Sequence, residues 1–398
     1  MYKYDIITSN YITIVKNGEL KIIYNKLLKV EGENMFVDYN NSIVNLACSI
    51  LEYFGAESEH STLKEVDELL KYQYKNVVIL LFDGLGVDTL QYHLSENVFF
   101  RKNLIKEYSS VFPPTTTSAT TSIESGLTPL EHGWLGWSLY FSEINKIVNA
   151  FINTEKDTEI HGADYHVASQ ILPYKSIYEK IRDARMANAY SVSKFGSNKI
   201  KTFDELTHEV ERLCATSEKK YIYGYWENPD SLMHEFGCYN SLVTENIKEL
   251  EEKVTDMCKR LSDTLVIVTA DHGHCNLKHY ILSVYPKLIT MLKRPTSIET
   301  RATAFYIKDE YLNDFSTEFH YNFGDDFLLY SKEEVIEKSI FGVGKMHPKF
   351  EEFIGDYLAV AISDKGIVYS QRSNQFISNH AGMTEQELKI PLIAICKK

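Results

Sequence analysis

Three long apolar runs stand out along the chain, because hydrophobic residues elsewhere mostly recur at helical spacing. These runs are VVILLF at 77–82, YIYGYW at 221–226 and LVIVTA at 265–270. Uninterrupted runs of this length are typical of strands that are covered on both faces, as in a parallel or mixed sheet.

Helical patterns surround these runs. Apolar residues recur at intervals of three and four in the segments 41–55, 64–72, 176–185, 203–215 and 242–263. Strands that alternate with helices predict an α/β fold. We expect a three-layer α/β/α sandwich with a central, mostly parallel mixed sheet.

The chain predicts one domain over residues 1–398, since it contains no internal repeat and no low-complexity tail. Residues 1–70 begin with two short predicted strands, YITIV and KIIYN, and lie outside the motifs described below. A weaker, mixed and aromatic pattern at about 281–350 predicts a small inserted cap region.

Charge restricts the partners of the protein. The formal net charge is -13, from 55 Asp and Glu against 42 Lys and Arg. An acidic surface repels polyanions, which argues against a nucleic-acid polymer as partner. A locally positive site that is built with metal ions can still bind a small anion.

The chain shows no feature of a secreted or membrane-spanning protein. Its start lacks a long apolar segment after a basic end, and the run at 77–82 is far too short to cross a bilayer. Scattered cysteines without a CxxC pair predict buried, reduced thiols and a cytoplasmic location. The six cysteines are residues 48, 214, 238, 258, 275 and 396.

An aspartate follows each of the three predicted strands. Asp83 and Asp271 come directly after their strands, and Asp230 lies four residues beyond its own. A single Asp at such a place is usually a turn or helix-cap residue. Ligand crevices of open α/β sheets lie beyond the carboxyl ends of the strands, so the three carboxylates are expected to converge.

Two histidines accompany these aspartates at spacings that suit a metal site. Asn228 and Pro229 predict a helix cap and a first helical residue, which places Asp230 and His234 on one helical face. Asp271 and His272 are adjacent, and both can bind one ion only if the chain bends after them. Glycine at the next position permits such a bend.

Two further histidines are candidates. His380 precedes a helix start that Thr384 and Glu387 mark as a capping box, which suits either a ligand or a surface residue. His274 is expected to be structural, with support of a neighbouring metal ligand as the alternative.

Three Asp and three His can form two metal sites of mixed oxygen and nitrogen ligands. Two divalent ions would outweigh three carboxylates and leave a net positive charge that attracts a phosphate-like anion. A hydroxyl beside such an ion is activated, because its pKa falls.

The stretch FPPTTTSATTSIESG at 112–126 offers such a hydroxyl. Two prolines and a closing glycine predict a helix of about three turns that starts near the threonines. A helix N-terminus binds phosphate well, which favours a threonine nucleophile there. The alternative is a solvated Ser/Thr-rich loop.

Five motifs together resemble the alkaline phosphatase superfamily, and within it the type I phosphodiesterase/nucleotide pyrophosphatase branch. The resemblance runs from about residue 75 to the end of the sequence. In chain order the motifs are VILLFDG, FPPTTTSATTSIESGLTPLEHG, NPDSLMHEFG, TADHGH and NHAGMT.

This resemblance implies a role for each matching residue. Thr116 matches the nucleophile, with Thr115 and Thr117 as neighbouring alternatives. One metal would be held by Asp230, His234 and His380. The other would be held by Asp83, Thr116, Asp271 and His272.

Departures from the branch concern the substrate. Trp137 stands where relatives carry a phosphate-contacting Asn, and Ser118-Ala119-Thr120 replaces a P-N-H segment, so nucleotides are in doubt. Trp134 and Trp137 line either an apolar leaving-group pocket or the core. Arg301 is expected at the surface, with a contact to a substrate anion as the alternative.

The sequence therefore predicts a two-metal hydrolase of small phosphate esters, above all diesters, with a covalent phosphothreonine intermediate. Zinc is the expected metal and manganese the alternative. A phosphomonoesterase or a phosphonate hydrolase would use the same site. An alternative of another class is a non-catalytic metal-binding interaction module. The oligomeric state is open.

Overall fold

The computed structural model describes the backbone of residues 11–16 and 19–24 and the whole of residues 37–398. The chain divides into two compact units, Met1–Phe36 and Val37–Lys398. In the first unit, strands β1 (Tyr11–Lys16) and β2 (Glu19–Tyr24) form an antiparallel hairpin, as the two short runs predicted. Everything below concerns the second unit.

The second unit contains the three strands that the apolar runs predicted, within one residue at each end. Its strands are β3 (Asn76–Phe82), β4 (Leu104–Ser109), β5 (Ser138–Phe141), β6 (Lys146–Asn149), β7 (Thr154–Glu155), β8 (Asn188–Ser193), β9 (Asn198–Lys199), β10 (Lys220–Trp226), β11 (Thr264–Thr269), β12 (Cys275–Asn276), β13 (Lys278–Ile281), β14 (Ser297–Ile298), β15 (Ala302–Phe305), β16 (Phe327–Ser331), β17 (Tyr357–Ala361), β18 (Lys365–Val368), β19 (Ser378–Asn379) and β20 (Lys389–Lys397).

The main sheet has seven strands in the order β4-β20-β11-β3-β10-β8-β9. The central strand β3 pairs in parallel with both β10 and β11, and β20 runs antiparallel to its two neighbours. Every residue of β3 and β11 is buried, as expected for strands with cover on both faces. The predicted mostly parallel mixed sheet is confirmed.

The helices of the second unit include all five segments with a helical pattern and several more that the pattern did not predict. They are α1 (Ile43–Tyr53), α2 (Lys64–Leu70), α3 (Val87–His93), α4 (Phe99–Lys102), α5 (Thr116–Ser125), α6 (Pro129–His132), α7 (Val167–Ile171), α8 (Ile177–Ala184), α9 (Phe203–Cys214), α10 (Asp230–Phe236), α11 (Ser241–Arg260), α12 (Pro286–Met291), α13 (Leu312–Phe323), α14 (Lys332–Glu337), α15 (Phe350–Phe353) and α16 (Glu385–Leu388). Among the described residues, none of them combines the length and apolarity of a membrane span.

A second, fully antiparallel sheet has the order β16-β17-β15-β14-β5-β6-β7. It joins strands from 138–155 with strands from 297–361 and has its own apolar cluster around Phe305, Phe315 and Phe319. Much of the segment 281–350 lies in this part of the fold. A cap function for that segment stays a prediction.

The prediction for Arg301 was wrong, because its side chain is neither at the surface nor available to a substrate. It is fully buried just before β15, where Nε and Nη2 donate to Glu387 Oε1 and Oε2 at 2.5 and 2.7 Å. Its remaining donors bind the carbonyl oxygens of Lys365 and Ser363. The pair ties the second sheet to the turn that follows His380.

All six cysteines are free thiols, and five of them are buried. The exception is Cys396, which is exposed near the end of β20, so the expectation of burial is wrong for this residue.

Replacement of Arg301 by Met is expected to lower the free energy of unfolding of the metal-free protein by about 3–5 kcal/mol, because it leaves the buried Glu387 carboxylate unpaired. The measurement is urea denaturation. Arg212→Met is the control, since Arg212 pairs with Glu209 at the surface and should cost less than about 1 kcal/mol. Equal losses in the two variants would contradict this account.

Candidate metal centre

The three aspartates converge because their strands are neighbours with level ends. Trp226 in β10 pairs with Phe82 in β3, and Thr269 in β11 pairs with Leu81. The chain therefore leaves all three strands at one edge of the sheet, where Asp83, Asp230 and Asp271 follow. This arrangement is the one that the sequence predicted.

One cluster of donor atoms forms around Asp83. His272 Nε2 lies 3.2 Å from Asp83 Oδ1 and 3.6 Å from Asp271 Oδ2. Thr116 Oγ1 lies 3.4 Å from both carboxylate oxygens of Asp83 and 3.2 Å from His272 Nε2. The cluster contains every residue predicted for the Asp83 metal.

A second cluster forms around Asp230 Oδ1. His234 Nε2 lies 3.4 Å from this oxygen, one turn along α10, and His380 Nε2 lies 3.7 Å from it. His274 Nε2 is closer still, at 2.5 Å. The short ribbon of β12 and β19 pairs Cys275 with Asn379, which brings His274 and His380 together.

The imidazole rings are held with Nε2 toward the carboxylates. Nδ1 of His234, His272 and His380 lies 2.9, 3.0 and 3.2 Å from the carbonyl oxygens of Ser378, Gly273 and Pro114. A carbonyl only accepts hydrogen bonds, so Nδ1 carries the proton in each ring. In the neutral ring Nε2 then carries the lone pair, which suits it to bind a metal.

Burial and like charge act together on the carboxylates. Burial raises the pKa of Asp83, and the charge of Asp230 raises it further. Burial and the charge of Asp83 likewise raise the pKa of Asp271. Burial alone would raise the pKa of Asp230 too, but the charge of His234 and the hydrogen bond from His274 hold it below its usual range. Asp83 and Asp271 are therefore the carboxylates whose charged form a bound cation would favour most.

One orphaned carboxylate oxygen, buried without a hydrogen-bond partner within residues 37–398, favours a bound cation at this site. Asp271 Oδ1 accepts hydrogen bonds from the backbone N–H groups of Gly84 and His272, whereas Asp271 Oδ2 is buried with no hydrogen-bond partner among the described residues. Buried carboxylate oxygens without a partner are costly unless a cation binds them. The mixed oxygen and nitrogen donors fit a divalent ion of the zinc or manganese type.

Within residues 37–398, two groups of potential ligands have donor atoms that all lie within 4.8 Å of one another. They share Asp230 and therefore overlap. The groups are Asp230, His234, His274 and His380, and Asp83, Asp230 and His272.

The three consecutive threonines differ in where their hydroxyl groups lie. Thr116 is the first residue of α5, and its hydroxyl lies beside Asp83 and His272. The hydroxyl of Thr115 donates to Glu299 Oε1 at 2.7 Å, and that of Thr117 is buried without a partner among the described residues. Of the three, Thr116 therefore faces the candidate ligands.

Gly273 explains why Asp271 and His272 can both reach the centre. A Cβ atom at this position would lie 2.0 Å from the backbone oxygen of Gln386. The chain after His272 thus passes against the turn before β20, which no side chain would allow. The sequence predicted a bend at Gly273 but not this close approach.

The local prediction for the start of α10 was wrong by one residue. The helix begins at Asp230 with Pro229 at the cap position, and no side chain caps it. Asn228 is therefore not the cap. Asp230 and His234 nevertheless remain one turn apart.

The two tryptophans separate into different environments. Trp134 is buried, and its indole N–H donates to the backbone oxygen of Leu172 at 2.9 Å, which makes it a core residue. The Trp137 side chain is 39% exposed and packs edge-on against Phe151, which is also exposed. Only Trp137 is accessible to a ligand.

Tyr225 was missed in the sequence, and His274 was given the lesser role. The Tyr225 hydroxyl donates to Asp83 Oδ2, and His272 lies nearest the other oxygen, Asp83 Oδ1. Its position near the end of a predicted strand, beside an aspartate-bearing neighbour strand, was the available signal. The high tyrosine content of the chain hid it.

The chain is similar to proteins of a known family. The family model of type I phosphodiesterase / nucleotide pyrophosphatase matches residues 77–370, which is more than half of the chain. A search of the curated proteins found no match.

Solved structures share the fold at low sequence identity. Murine ectonucleotide pyrophosphatase / phosphodiesterase 5 has a TM-score of 0.60 and 18% identity, over 80% of this chain and 87% of its own. An inactive threonine-to-alanine variant of that protein, in complex with AMP, has a TM-score of 0.59 and 17% identity, over 80% of this chain and 87% of its own. Phosphonoacetate hydrolase from Sinorhizobium meliloti 1021, in complex with phosphonoformate, has a TM-score of 0.59 and 14% identity, over 80% of this chain and 89% of its own.

Replacement of Asp271 by Asn is expected to separate metal binding from folding. The metal-free variant should be at least as stable as the metal-free wild type, because one of several buried like charges is removed. Zinc or manganese at 100 times its Kd should raise the unfolding free energy of the wild type by about 2.7 kcal/mol, and that of the variant by clearly less.

Thermal unfolding with chelator and with metal, together with metal content after gel filtration, measures both quantities. Asp256→Asn is the control, because Asp256 is an exposed residue of α11 that pairs with Lys259. An unchanged response of Asp271→Asn to metal would remove Asp271 from the centre.

Proposed function

Because the chain belongs to the type I phosphodiesterase / nucleotide pyrophosphatase family, we propose that it hydrolyses small phosphate esters, most of all diesters, with Thr116 as nucleophile. One observation carries this proposal. The Thr116 hydroxyl lies within 3.4 Å of Asp83 and of His272, whose Nε2 in turn lies 3.6 Å from the orphaned Oδ2 of Asp271.

The proposal includes two divalent ions, with zinc preferred and manganese as the alternative. Asp230, His234 and His380 would hold one ion, and Asp83, Thr116, Asp271 and His272 would hold the other. When bound, such ions lower the pKa of a nearby hydroxyl or water and stabilise the negative charge that develops on phosphate. His274 and Tyr225 would support the two groups through Asp230 and Asp83.

The protein residues would carry out a double displacement. Thr116 Oγ1 attacks phosphorus and forms a phosphothreonine ester as the bond from phosphorus to the departing ester oxygen breaks; the hydroxyl proton passes through solvent to that oxygen, which leaves as an alcohol. Water then attacks the same phosphorus from the vacated side and releases Thr116. The N-terminus of α5, at which Thr116 is the first residue, favours the negative charge of the phosphate group.

The neighbours support the nucleophile indirectly. The murine neighbour is inactive when one threonine is replaced by alanine, and that variant was solved with AMP. The bacterial neighbour is a phosphonoacetate hydrolase. Phosphonate hydrolysis at the same centre is therefore the second candidate, because carbon–phosphorus and oxygen–phosphorus substrates present the same phosphoryl oxygens.

A diester is preferred over a monoester for an electrostatic reason. Monoesters carry an additional negative charge, which phosphatases commonly neutralise with Arg or Lys. In the described part of the chain, no Arg or Lys forms a hydrogen bond or ion pair with Thr116, Asp83 or His272. Arg301, the candidate from the sequence, is committed to Glu387.

We also propose a cytoplasmic location. The proposal rests on the six free cysteines, since a reducing compartment maintains unpaired thiols.

Thr116→Ala is expected to lower kcat/KM for a diester by about 10³-fold or more, because the covalent route is lost, while metal content stays near that of the wild type. Thr117→Val is the matched control, since the Thr117 hydroxyl has no partner among described residues and should be dispensable. Steady-state kinetics and metal analysis test both variants. Full activity of Thr116→Ala would overturn the nucleophile assignment.

Bis-p-nitrophenyl phosphate should be cleaved faster than p-nitrophenyl phosphate by the metal-loaded protein, because the diester carries one negative charge fewer. Parallel measurement of kcat/KM for both substrates is the test. Faster cleavage of the monoester would replace the diesterase proposal with a phosphatase. Absence of turnover with metal bound would favour the non-catalytic module.

A further inference from the structure

A fourth carboxylate, that of Glu299, lies beside the start of the Thr116 helix. Its Oε1 accepts hydrogen bonds from the Thr115 hydroxyl and from the backbone N–H of Trp137, each at 2.7 Å. Burial raises the pKa of this carboxyl group, and its hydrogen bond with Thr115 places it one residue from Thr116. Glu299 is not one of the predicted ligands.

The backbone that carries Glu299 is held in an unfavourable conformation. Ile298 has a φ of 71°, in the left-handed region that a β-branched residue rarely adopts. Residues in such conformations persist only where the surrounding structure enforces them, often at functional sites.

Gly136 accommodates this turn from the opposite side. A Cβ atom at Gly136 would lie 2.7 Å from Ile298 Cγ2 and 3.1 Å from the backbone carbonyl of Ile298. Strand β14 also pairs with β5 through Ile298 and Ser138. The second sheet therefore fixes the backbone at Ile298, and the hydrogen bond with Thr115 holds the Glu299 side chain next to the start of α5.

One oxygen of Glu299 occupies two donors, one at the start of the Thr116 helix and one in the Trp137 loop. Thr115 occupies the cap position of α5, yet its side chain caps no N–H group of the helix. Trp137 stands where relatives carry an Asn, and its N–H is used by Glu299. The second carboxylate oxygen, Oε2, has no hydrogen-bond partner among those described for this residue.

The charge of Glu299 changes the balance of the loaded centre. Two divalent ions with Asp83, Asp230 and Asp271 leave one net positive charge, and Glu299 cancels it. A cationic centre attracts a dianion more strongly than a monoanion. At a neutral centre this difference in attraction is smaller. Repulsion from a nearby carboxylate then falls hardest on the ligand with more negative charge.

We propose that Glu299 is a specificity-determining residue that selects monoanionic phosphate esters and disfavours dianionic ones. The inference rests on the proposed function, since it assigns a substrate charge to the same centre. A purely structural Glu299, which only tethers the Trp137 loop to α5, is the competing explanation. The two differ in whether the charge or only the hydrogen bonds matter.

Glu299→Gln separates charge from hydrogen bonding, because the amide oxygen still accepts from Thr115 and Trp137. At pH 8.5, isothermal titration of the metal-loaded protein gives the Kd of inorganic phosphate, a dianion, and of dimethyl phosphate, a monoanion. We expect the variant to bind phosphate about tenfold more tightly and dimethyl phosphate less than threefold more tightly. The monoester-to-diester ratio of kcat/KM should rise about tenfold as well.

Glu251→Gln is the matched control. Glu251 in α11 likewise accepts hydrogen bonds from backbone N–H groups, at Phe99 and Phe100, and its replacement should leave both ratios unchanged. Unchanged ratios in Glu299→Gln, with metal content and thermal stability retained, would overturn the inference.

Failure of the proposed function would look different. A protein without esterase activity can still show the shift in the phosphate and dimethyl phosphate Kd values, which would support the charge assignment without the reaction. Turnover of diesters with no shift in either ratio would retain the function and reject the role of Glu299. A stability loss in Glu299→Gln with unchanged ratios would support the structural tether.

Discussion

Mutual repulsion among buried carboxylates is the constraint on which this fold depends. Asp83 and Asp271 lie at neighbouring strand ends, away from water, and their raised pKa values express the cost of placing negative charge there. The parallel strands cannot avoid this arrangement, because their level ends deliver all three aspartates to one edge. Histidine rings fixed through Nδ1, and a cation bound between them, are the means by which such an edge becomes stable.

The main sheet could be predicted well because short runs of consecutive apolar residues specify its central strands. Runs such as residues 77–82 fix both the strand and the position of the next polar residue, and the parallel topology then brings Asp83 and Asp271 together. Arg301 could not be predicted in this way. Its partner Glu387 lies 86 residues further along the chain, and nothing near Arg301 in sequence indicates that pairing.

The same reasoning explains what was missed at the centre. His274 and Tyr225 act on Asp230 and Asp83 across strands, so their roles appear only when the strands are paired. Glu299 depends on a left-handed Ile298, a conformation that sequence patterns do not predict for a β-branched residue. The candidate metal ligands follow sequence motifs, whereas the residues that contact them are found only through tertiary contacts. Substrate preference in shared folds varies for this reason.

Strand β20 has a consequence for how the protein is made. It lies between β4 and β11 inside the main sheet, although it follows every candidate metal ligand in the chain. During synthesis the sheet therefore stays open at that place until residues 389–397 have emerged from the ribosome. A nascent chain cannot complete the sheet that carries Asp83 and Asp271 before that moment, so the candidate ligands reach their final places only after β20 has paired.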